Sequence, residues 1–399
     1  MISVNEAVER IVSAFNPLPS EIVPIADGYR RVIAEDAIAK VNQPPFPVSA
    51  MDGYAVRYVD CTTAGSILSV VGTAPAGKPF SGRLESGHCV RIFTGGVVPD
   101  GADAIVIQEN VDILDGHQVR LRVVAEPNRH IRRAGLDFCL NDLLVASGTR
   151  LSARDLSLIA AGDIAEIKVH RRPRIAIAAT GDELTPPGAK KIRGEIVASS
   201  GYALAAMIEN WGGTADYLGI IPDREEAISS LPERAQDADL LVTLGGASVG
   251  DHDLIQKALE PRGLRVNFWK IAMRPGKPLL FGRVGDLPLL GLPGNPVSTI
   301  VCALIFLKPA IRAMIGDKCQ AVHHYANLAT PLAANDGRYD FLRAKLHHRN
   351  DEEIVTPMAV QDSSMLLNLA QADVLILRPP HAPAAPAGSV VEVLWLNDV

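Results

Sequence analysis

The fold of this chain is decided by the stretch DLLVTLGGASVGDHD, residues 239–253. It begins with the apolar residues of a buried strand, breaks at Gly245 and Gly246, and reaches Asp251 and Asp253 where helical spacing begins. A turn from strand to helix points backbone N–H groups outward, where they bind a phosphate or oxyanion. Acids there would repel a bare phosphate, so their natural companion is a divalent cation. From this turn alone, a phosphate site and an ordinary βα turn with a capping Asp stay equally open.

The flanking sequence repeats the alternation of strand and helix. Apolar runs predict strands at residues 174–179, 215–220, 240–244, 265–270, 278–283 and 287–291. Helical spacing predicts helices at residues 199–210, 223–236 and 252–260, and a long apolar helix that ends near Met314. This alternation indicates a mostly parallel sheet with helices on both faces. Because such sheets bind ligands beyond the carboxyl ends of their strands, the turns at 180–183, 245–253 and 292–298 should share one rim.

The rest of the chain predicts further units around this α/β unit. Helices are expected at residues 2–15 and 150–164, the second with Ser152 as its N-cap, and a helix or helix-plus-strand at 29–40. The prolines of PPFP, residues 44–47, mark an extended crossing into a series of short strands. Strand patterns return after Asp317.

The predicted fold class is a multidomain α/β protein whose central domain is doubly wound. The predicted domains are a discontinuous, partly helical domain (1–43 and 128–172), an inserted β-rich domain (44–127), the α/β domain (173–317) and a C-terminal β domain (318–399).

Composition and charge restrict the class of protein. The 399 residues are 48% hydrophobic and 21% charged, which is ordinary for a globular chain of several domains. A formal net charge of −6 gives no support for a nucleic-acid or membrane partner. We find no signal peptide and expect no membrane span, and the five scattered cysteines fit reduced thiols. We therefore expect a soluble, cytoplasmic protein.

Two polar motifs outside the α/β unit stay open on their residues alone. Asp52, in SAMDGYA, is followed by glycine, and such a pair is in isolation more often a simple turn than a functional acid. Arg129, Arg132 and Arg133 form a basic run, which is normally a solvated surface.

Seven motifs, taken together and in order, resemble those of the molybdopterin molybdenumtransferases, the molybdenum-insertase family that includes the E domain of gephyrin. They are PPFPVSAMDGYAV (44–56), TGGVVPDGADAIV (94–106), RRAGLD (132–137), ATGDEL (179–184), GGASVGDHD (245–253), MRPGKP (273–278) and GLPGNPVS (291–298). The resemblance covers essentially the whole chain.

The resemblance implies a four-domain, elongated homodimer with its active site near the dimer interface. It implies insertion of molybdate into adenylylated molybdopterin, with Mg²⁺-dependent hydrolysis of the adenylyl group and release of AMP. A metal held by carboxylates suits pyrophosphate cleavage, and cationic and neutral hydrogen-bond donors suit an oxyanion. A transient contact with a molybdopterin adenylyltransferase is also expected.

The roles of individual residues follow from the same resemblance. The implied metal ligands are Glu183, Asp223 and Asp253. The implied catalytic residues are Asp52, Asp137, Asp253, Lys270 and Arg274. The implied substrate-binding and nucleotide-binding residues are Thr180, Gly181, Ser199, Gly245, Gly246, Ser248, Gly250, Pro293, Gly294 and Asn295. The implied molybdate-binding residues are Arg274, Lys277, Pro278, Ser298, Arg343 and Ser363.

This chain departs from the family pattern at three places. Pro47 replaces the usual acid of PxFDxS, Leu136 stands where many members have an acid, and the segment 197–201 lacks the expected Asn. Two other functions compete with the insertase. A scaffold or partner-binding protein of the gephyrin type would need no acid at Asp253, and a molybdopterin adenylyltransferase would not need the added β domains.

Overall fold

The computed structural model describes residues 1–115, 117–246, 254–318, 323–349 and 352–396. Within these ranges the α-helices are α1 Val4–Val12, α2 Ala153–Ala161, α3 Ser200–Trp211, α4 Glu225–Ser229, α5 Leu231–Arg234, α6 Leu254–Leu259, α7 Pro296–Cys302, α8 Lys308–Met314 and α9 Leu366–Gln371. The strands before the α/β unit are β1 Ser20–Pro24, β2 Ala37–Ile38, β3 Val48–Ser49, β4 Gly53–Val56, β5 Ile67–Ala74, β6 His88–Ile92, β7 Ala104–Ile107, β8 Val111–Asp115, β9 Gln118–Leu121, β10 Ile131–Arg132, β11 Leu143–Val145 and β12 Glu166–His170. The remaining strands are β13 Arg174–Thr180, β14 Leu184–Thr185, β15 Ile196–Val197, β16 Thr214–Ile221, β17 Leu240–Leu244, β18 Leu264–Trp269, β19 Met273–Arg274, β20 Leu280–Val284, β21 Leu287–Leu292, β22 His324–Leu328, β23 Tyr339–Arg349, β24 Glu352–Pro357, β25 Val374–Arg378 and β26 Val390–Trp395.

The central sheet has six strands in the order β16-β13-β17-β21-β20-β18. The first four run parallel, and β20 and β18 continue the sheet antiparallel. Successive side chains of β13 serve two cores, since Ile175 and Ile177 pack on the side of α1, α3, α7 and α8 while Ala176 and Ala178 pack on the side of α4, α5 and α6. Both faces of the sheet are therefore covered by helices, which confirms the predicted doubly wound domain.

The long apolar helix is one continuous helical stretch, Pro296–Met314, with a π-helical turn at Ala303–Leu307 between α7 and α8. Pro309 lies just after that turn, where it lacks an N–H and would clash with the carbonyl four residues earlier in a regular α-helix. By length and composition this stretch could cross a membrane, contrary to the expectation from sequence. However, 72% of its most apolar 18-residue segment is buried inside the protein, as in a core helix.

The N-terminal unit joins chain segments from both sides of the β-rich insert. Ile33 and Ala37, which precede the insert, share a core with Val145, Ile159 and Val169, which follow it. β1 pairs antiparallel with β12, and β2 pairs antiparallel with β11. Helix α1 instead buries its apolar face in the core of the α/β unit.

The two β units differ in whether their sheet closes on itself. The insert is a six-stranded sheet in the order β7-β4-β6-β5-β9-β8. In the C-terminal unit β23, β24, β22, β26 and β25 pair in turn, and β25 pairs again with β23, so that the sheet closes on itself. β19, from the α/β unit, adds to the start of β23 and ties the two units together.

Two predicted helices differ from the structure, whereas the Ser152 N-cap is confirmed by its capping box with Asp155. Residues 29–40 contain only β2 and turns, because Ile33 makes a bridge to Val169 in place of helical packing. The helix expected at 223–236 is divided into α4 and α5, and Pro232 lies in the first turn of α5, where its missing N–H costs nothing.

Candidate active site

A cavity of about 650 Å³ opens at the carboxyl ends of β13, β17 and β21. We call it the cleft. Of the predicted site residues, those that line it are Thr180, Glu183, Ser199, Asp223, Gly245, Gly246, Pro278, Pro293, Gly294, Asn295 and Ser298. Gly181 follows Thr180 in the same turn. The turns that follow these three strands meet here, as the order of strands and helices predicted.

The glycine turn after β17 is shaped by close backbone contacts. Gly245 and Gly246 both have left-handed backbone angles, with φ of +89° and +68°. A Cβ atom on Gly245 would lie 2.8 Å from the carbonyl oxygen of Thr180, and one on Gly246 would lie 2.7 Å from the side chain of Ile255. The N–H of Gly245 donates to the carbonyl of Leu292 at 3.1 Å. Only glycine fits at these two positions, so this wall of the cleft is bare backbone.

The carboxylates of Asp182, Glu183 and Asp223 lie close together beside the cleft. The backbone N–H of Asp223 donates a 3.0 Å hydrogen bond to a carboxylate oxygen of Asp182. The Oδ1 atom of Asp223 is buried and has no hydrogen-bond partner among the described residues. Burial first, and then the charges of Asp182 and Glu183, raise the pKa of Asp223. An unpaired buried oxygen among like charges is an arrangement that a bound cation would stabilise.

Of the three predicted metal ligands, Glu183 and Asp223 lie within the described ranges. No group of three His, Cys, Asp or Glu side chains within the described ranges is arranged to hold a metal ion by itself. The third predicted ligand, Asp253, lies outside those ranges, as do Ser248 and Gly250 of the glycine turn. Their predicted roles therefore stay predictions.

A short flap, formed by β14 and β15, makes up the edge of the cleft where residues 197–201 begin. β14 and β15 pair in parallel, and the N–H of Ile196 donates to the carbonyl of Glu183 at 2.8 Å. The flap leads into Ser199 and the start of α3. Gly201 allows that helix to pack against Tyr217, since a Cβ there would lie 2.6 Å from the ring.

The C-terminal unit contacts the cleft at the start of α7. The side-chain amide of Asn295 donates to the hydroxyl of Ser363 at 2.9 Å, and the N–H of Val297 donates to the Ser363 carbonyl at 3.2 Å. The next residue, Ser364, lines the cleft. Because the Ser363 hydroxyl already accepts a hydrogen bond, its own proton is left to donate to an acceptor.

Arg343 lies behind this contact and is only 2% exposed. Its Nε donates to the side-chain oxygen of Gln361 at 3.3 Å, and a terminal nitrogen donates to the carbonyl of Met365 at 3.4 Å. Burial lowers the pKa of Arg343, while the negative charge of Asp362 opposes that shift. The guanidinium is thus held rigidly against the segment that carries Ser363.

The predicted cations of the α/β unit have different surroundings. Arg274 donates from Nε to Asp340 at 3.0 Å and forms an ion pair with the same carboxylate, which joins β19 to β23. The Nζ atom of Lys270 lies 4.0 Å from the centre of the Trp269 ring. Lys277 is exposed and forms no ion pair among the described residues. None of the three is among the described residues that line the cleft.

The two acids predicted from other units lie away from the cleft within one chain. A carboxylate oxygen of Asp52 accepts from the backbone N–H and from the hydroxyl of Thr94, both at 2.8 Å. These hydrogen bonds, and then the charge of Arg91, lower the pKa of Asp52. Asp137 is exposed on the loop after β10. Neither acid is among the described residues that line the cleft.

Comparison with known families covers the three parts of the chain in order. The MoeA N-terminal region (domain I and II) matches residues 2–162, a probable molybdopterin binding domain matches 176–313, and the MoeA C-terminal region (domain IV) matches 325–396. The molybdopterin molybdenumtransferase of Haemophilus influenzae is 33% identical over 100% of this chain and 99% of its own length.

This chain belongs to the molybdopterin molybdenumtransferase family. It is an enzyme, and its process is molybdenum cofactor biosynthesis. The Bacillus subtilis molybdopterin molybdenumtransferase is 30% identical over 100% of this chain and 94% of its own length. The crystal structure of the molybdopterin biosynthesis moea protein from Pyrococcus horikosii superposes with a TM-score of 0.85, at 31% identity over 99% of both chains.

The molybdopterin molybdenumtransferase fold also brings residues to the cleft that sequence reasoning missed. Asp182 contacts Asp223, and Ser200 and Ser364 line the cavity. Asp182 could have been predicted as a site residue, since it lies inside the family motif ATGDEL (179–184). Ser364 carried no such signal, because only the docking of the C-terminal unit on α7 brings it there.

Proposed function

We propose that this chain inserts molybdate into adenylylated molybdopterin, with Mg²⁺-dependent hydrolysis of the adenylyl pyrophosphate bond and release of AMP. The observation that carries the proposal is the buried, unpaired Oδ1 of Asp223 beside Asp182 and Glu183, in the same cleft as the bare glycine turn. Acids beside a bare glycine turn suit a phosphate-bearing substrate that arrives with a cation.

The residues of the cleft fit a divalent cation at Asp223 and Glu183, with Asp253 as the third predicted ligand. When bound, Mg²⁺ neutralises the negative charge that develops on the pyrophosphate. The bare glycine turn leaves room for the phosphates to approach the backbone, and the first turn of α3 and the flap exclude water from the edge of the pterin.

Molybdate is a substrate, and we propose that it binds between the start of α7 and the C-terminal unit. Ser363 has a hydroxyl proton to donate, and Ser298 is buried at the cleft wall. Arg343 supplies a fixed positive charge close behind Ser363, while Lys277 supplies an exposed one. Neutral and cationic donors in a preformed pocket favour a tetrahedral oxyanion.

The proposal includes a homodimer in which Asp52 and Asp137 of one chain face the cleft of the other. Neither acid lines the cleft of its own chain among the described residues, so their predicted roles need the cleft of a second chain. A cytoplasmic location and a transient contact with an adenylyltransferase that delivers the substrate belong to the same proposal.

The test is release of AMP from adenylylated molybdopterin by the purified protein, with and without molybdate and Mg²⁺. We expect release that depends on both. Release without molybdate would show an uncoupled hydrolase, and no release from a folded dimer would overturn the proposal. In the second case the departures at Pro47, Leu136 and 197–201 would be the first positions to restore.

A further inference from the structure

A second cavity, of about 270 Å³, lies where the N-terminal unit meets the α/β unit. It shares no described lining residue with the cleft, and the mechanism above does not use it. Its polar lining residues include Arg30, Arg150, Asn210, Trp211 and Lys308. Three of these five side chains carry a positive charge, and the described lining contains no carboxylate.

Two of the cations are held in place by a neutral group. A terminal nitrogen of Arg30 donates to the side-chain oxygen of Asn210 at 2.7 Å, and a terminal nitrogen of Arg150 donates to the Asn210 carbonyl, also at 2.7 Å. The described lining of the cavity contains no acidic side chain, and Asp317 is the acid whose charge acts on Arg150. Arg30 also has a left-handed backbone, with φ of +61°, a conformation that favours glycine. Hydrogen bonds to Asn210 therefore hold both guanidinium groups in position.

Buried hydrogen-bond donors are left unused at the same place. The Nε1 atom of Trp211 has no hydrogen-bond partner in the described part of the chain, although the residue is only 1% exposed. The Nε atom of Arg150 is likewise buried without a partner there. Buried donors of this kind cost free energy unless an acceptor reaches them. Both residues line the cavity, and an acceptor that reached either donor would remove this cost.

The charges around Arg150 also favour a bound anion. Burial first, and then repulsion by Arg30, lower the pKa of Arg150, and the charges of Arg172 and Arg312 act in the same direction. Asp317 is the one group that opposes them among the groups acting on this arginine. Excess positive charge with unused donors matches the needs of a bound anion.

We propose that this cavity binds a small oxyanion of the phosphate class, contacted by Arg30, Arg150 and Trp211. The volume fits a phosphate ion or the phosphate end of a small phosphomonoester. Because the lining joins the N-terminal unit to α3 and α8, an anion bound there fixes the orientation of these two units. The site does not depend on the function proposed for the cleft.

The experiment is calorimetric titration of the full-length protein with inorganic phosphate at low ionic strength. We expect saturable binding that Arg30→Gln and Arg150→Gln each weaken by at least about tenfold, since each removes a charge-assisted hydrogen bond. Trp211→Phe, which keeps an aromatic ring but removes the donor, should weaken binding by a few-fold. Arg154→Gln, the same change at an exposed position of α2 outside the cavity, should leave binding unchanged.

Two outcomes would overturn the proposal. One is absence of saturable binding to the parent protein, and the other is equal affinity in the parent, Arg30→Gln and Arg150→Gln. If circular dichroism shows that Arg150→Gln is unfolded, the exposed Arg30→Gln decides alone. A titration with ribose 5-phosphate distinguishes the two kinds of ligand. Competition with inorganic phosphate indicates a site for a phosphomonoester, and lack of competition indicates a site for the free ion.

Discussion

The backbone N–H of Asp223 donates to a carboxylate oxygen of Asp182 at 3.0 Å, and this contact brings two acids from different turns together at the cleft. Asp182 follows β13 and Asp223 follows β16, which are neighbouring parallel strands. The contact fixes the backbone at Asp223 while its Oδ1 stays unpaired. A position that is held by its backbone but whose side chain is unfavourable for folding is typical of a functional site.

Replacement of Asp223 should therefore raise stability slightly while it lowers activity. We expect Asp223→Asn to raise the free energy of unfolding slightly at pH 7, by no more than about 1 kcal/mol, because it removes a partly buried charge beside two like charges. AMP release should fall by about 100-fold or more. Urea unfolding and single-turnover assays measure the two effects.

The matched control is Asp216→Asn, the same change at an exposed position of β16. It should alter neither quantity. A clear loss of stability in Asp223→Asn, with activity intact, would mean that Asp223 is structural.

The stability of the metal-free protein should depend on pH through the same group. The pKa of Asp223 is raised in the folded state above its ordinary value of 3.8, so the folded form holds this proton more tightly than the unfolded form. Its unfavourable contribution is absent below pH 3.8 and grows as pH rises through the raised pKa. The difference in unfolding free energy between the parent and Asp223→Asn should increase in that window, as measured by urea unfolding in a pH series. A difference independent of pH would contradict the proposed cause.

Magnesium should reverse this effect in the parent protein. A cation that binds only the folded state stabilises it, so millimolar Mg²⁺ should raise the melting temperature at pH 8. The increase should shrink as the pH is lowered, because protons compete with the cation for the carboxylate of Asp223, and it should be absent in Asp223→Asn. Differential scanning calorimetry measures it without any substrate. An equal increase in the variant would place the cation elsewhere.

Arg274 and Lys277 should behave differently although both are predicted to contact molybdate. Arg274→Gln leaves the carboxylate of Asp340, a residue that is 5% exposed, without its ion pair, so we expect a loss of about 1–3 kcal/mol in unfolding free energy. Lys277→Gln should leave stability within about 0.5 kcal/mol, because the side chain is exposed. The molybdate concentration for half-maximal AMP release should rise in the lysine variant. Equal stability of the two variants would show that the Arg274 ion pair contributes nothing to the fold.

Ser363→Ala tests the contact between the C-terminal unit and α7. The backbone hydrogen bond from Val297 to the Ser363 carbonyl survives the change, so unfolding free energy should fall by less than about 1 kcal/mol. The half-saturating molybdate concentration should rise by about tenfold, since one hydrogen-bond donor to the oxyanion is lost. Ser229→Ala on α4 is the control, as its hydroxyl donates to the Glu226 carbonyl within the same helix. An unchanged molybdate requirement would remove Ser363 from the pocket.

Local patterns were sufficient for much of this protein. The alternation of strand and helix between Arg174 and Met314 predicted the doubly wound sheet, since period and turn residues act over short distances. The N-cap at Ser152 was equally local. The prediction of a helix or helix-plus-strand at 29–40 shows the limit: the segment contains no helix, because its apolar residues pair with β11 and with Val169 more than 100 positions away.

The sequence by itself determined the order of elements, the glycine turn and the family motifs, because glycine is the residue type that adopts the left-handed angles of Gly245 and Gly246 without strain. Only the tertiary structure decided which polar groups meet. The unpaired oxygen of Asp223 and the cavity of Arg30 and Arg150 both arise where distant segments pack together. Burial and charge repulsion are properties of the assembled surroundings of a side chain, and neither can be read from its neighbours in the chain.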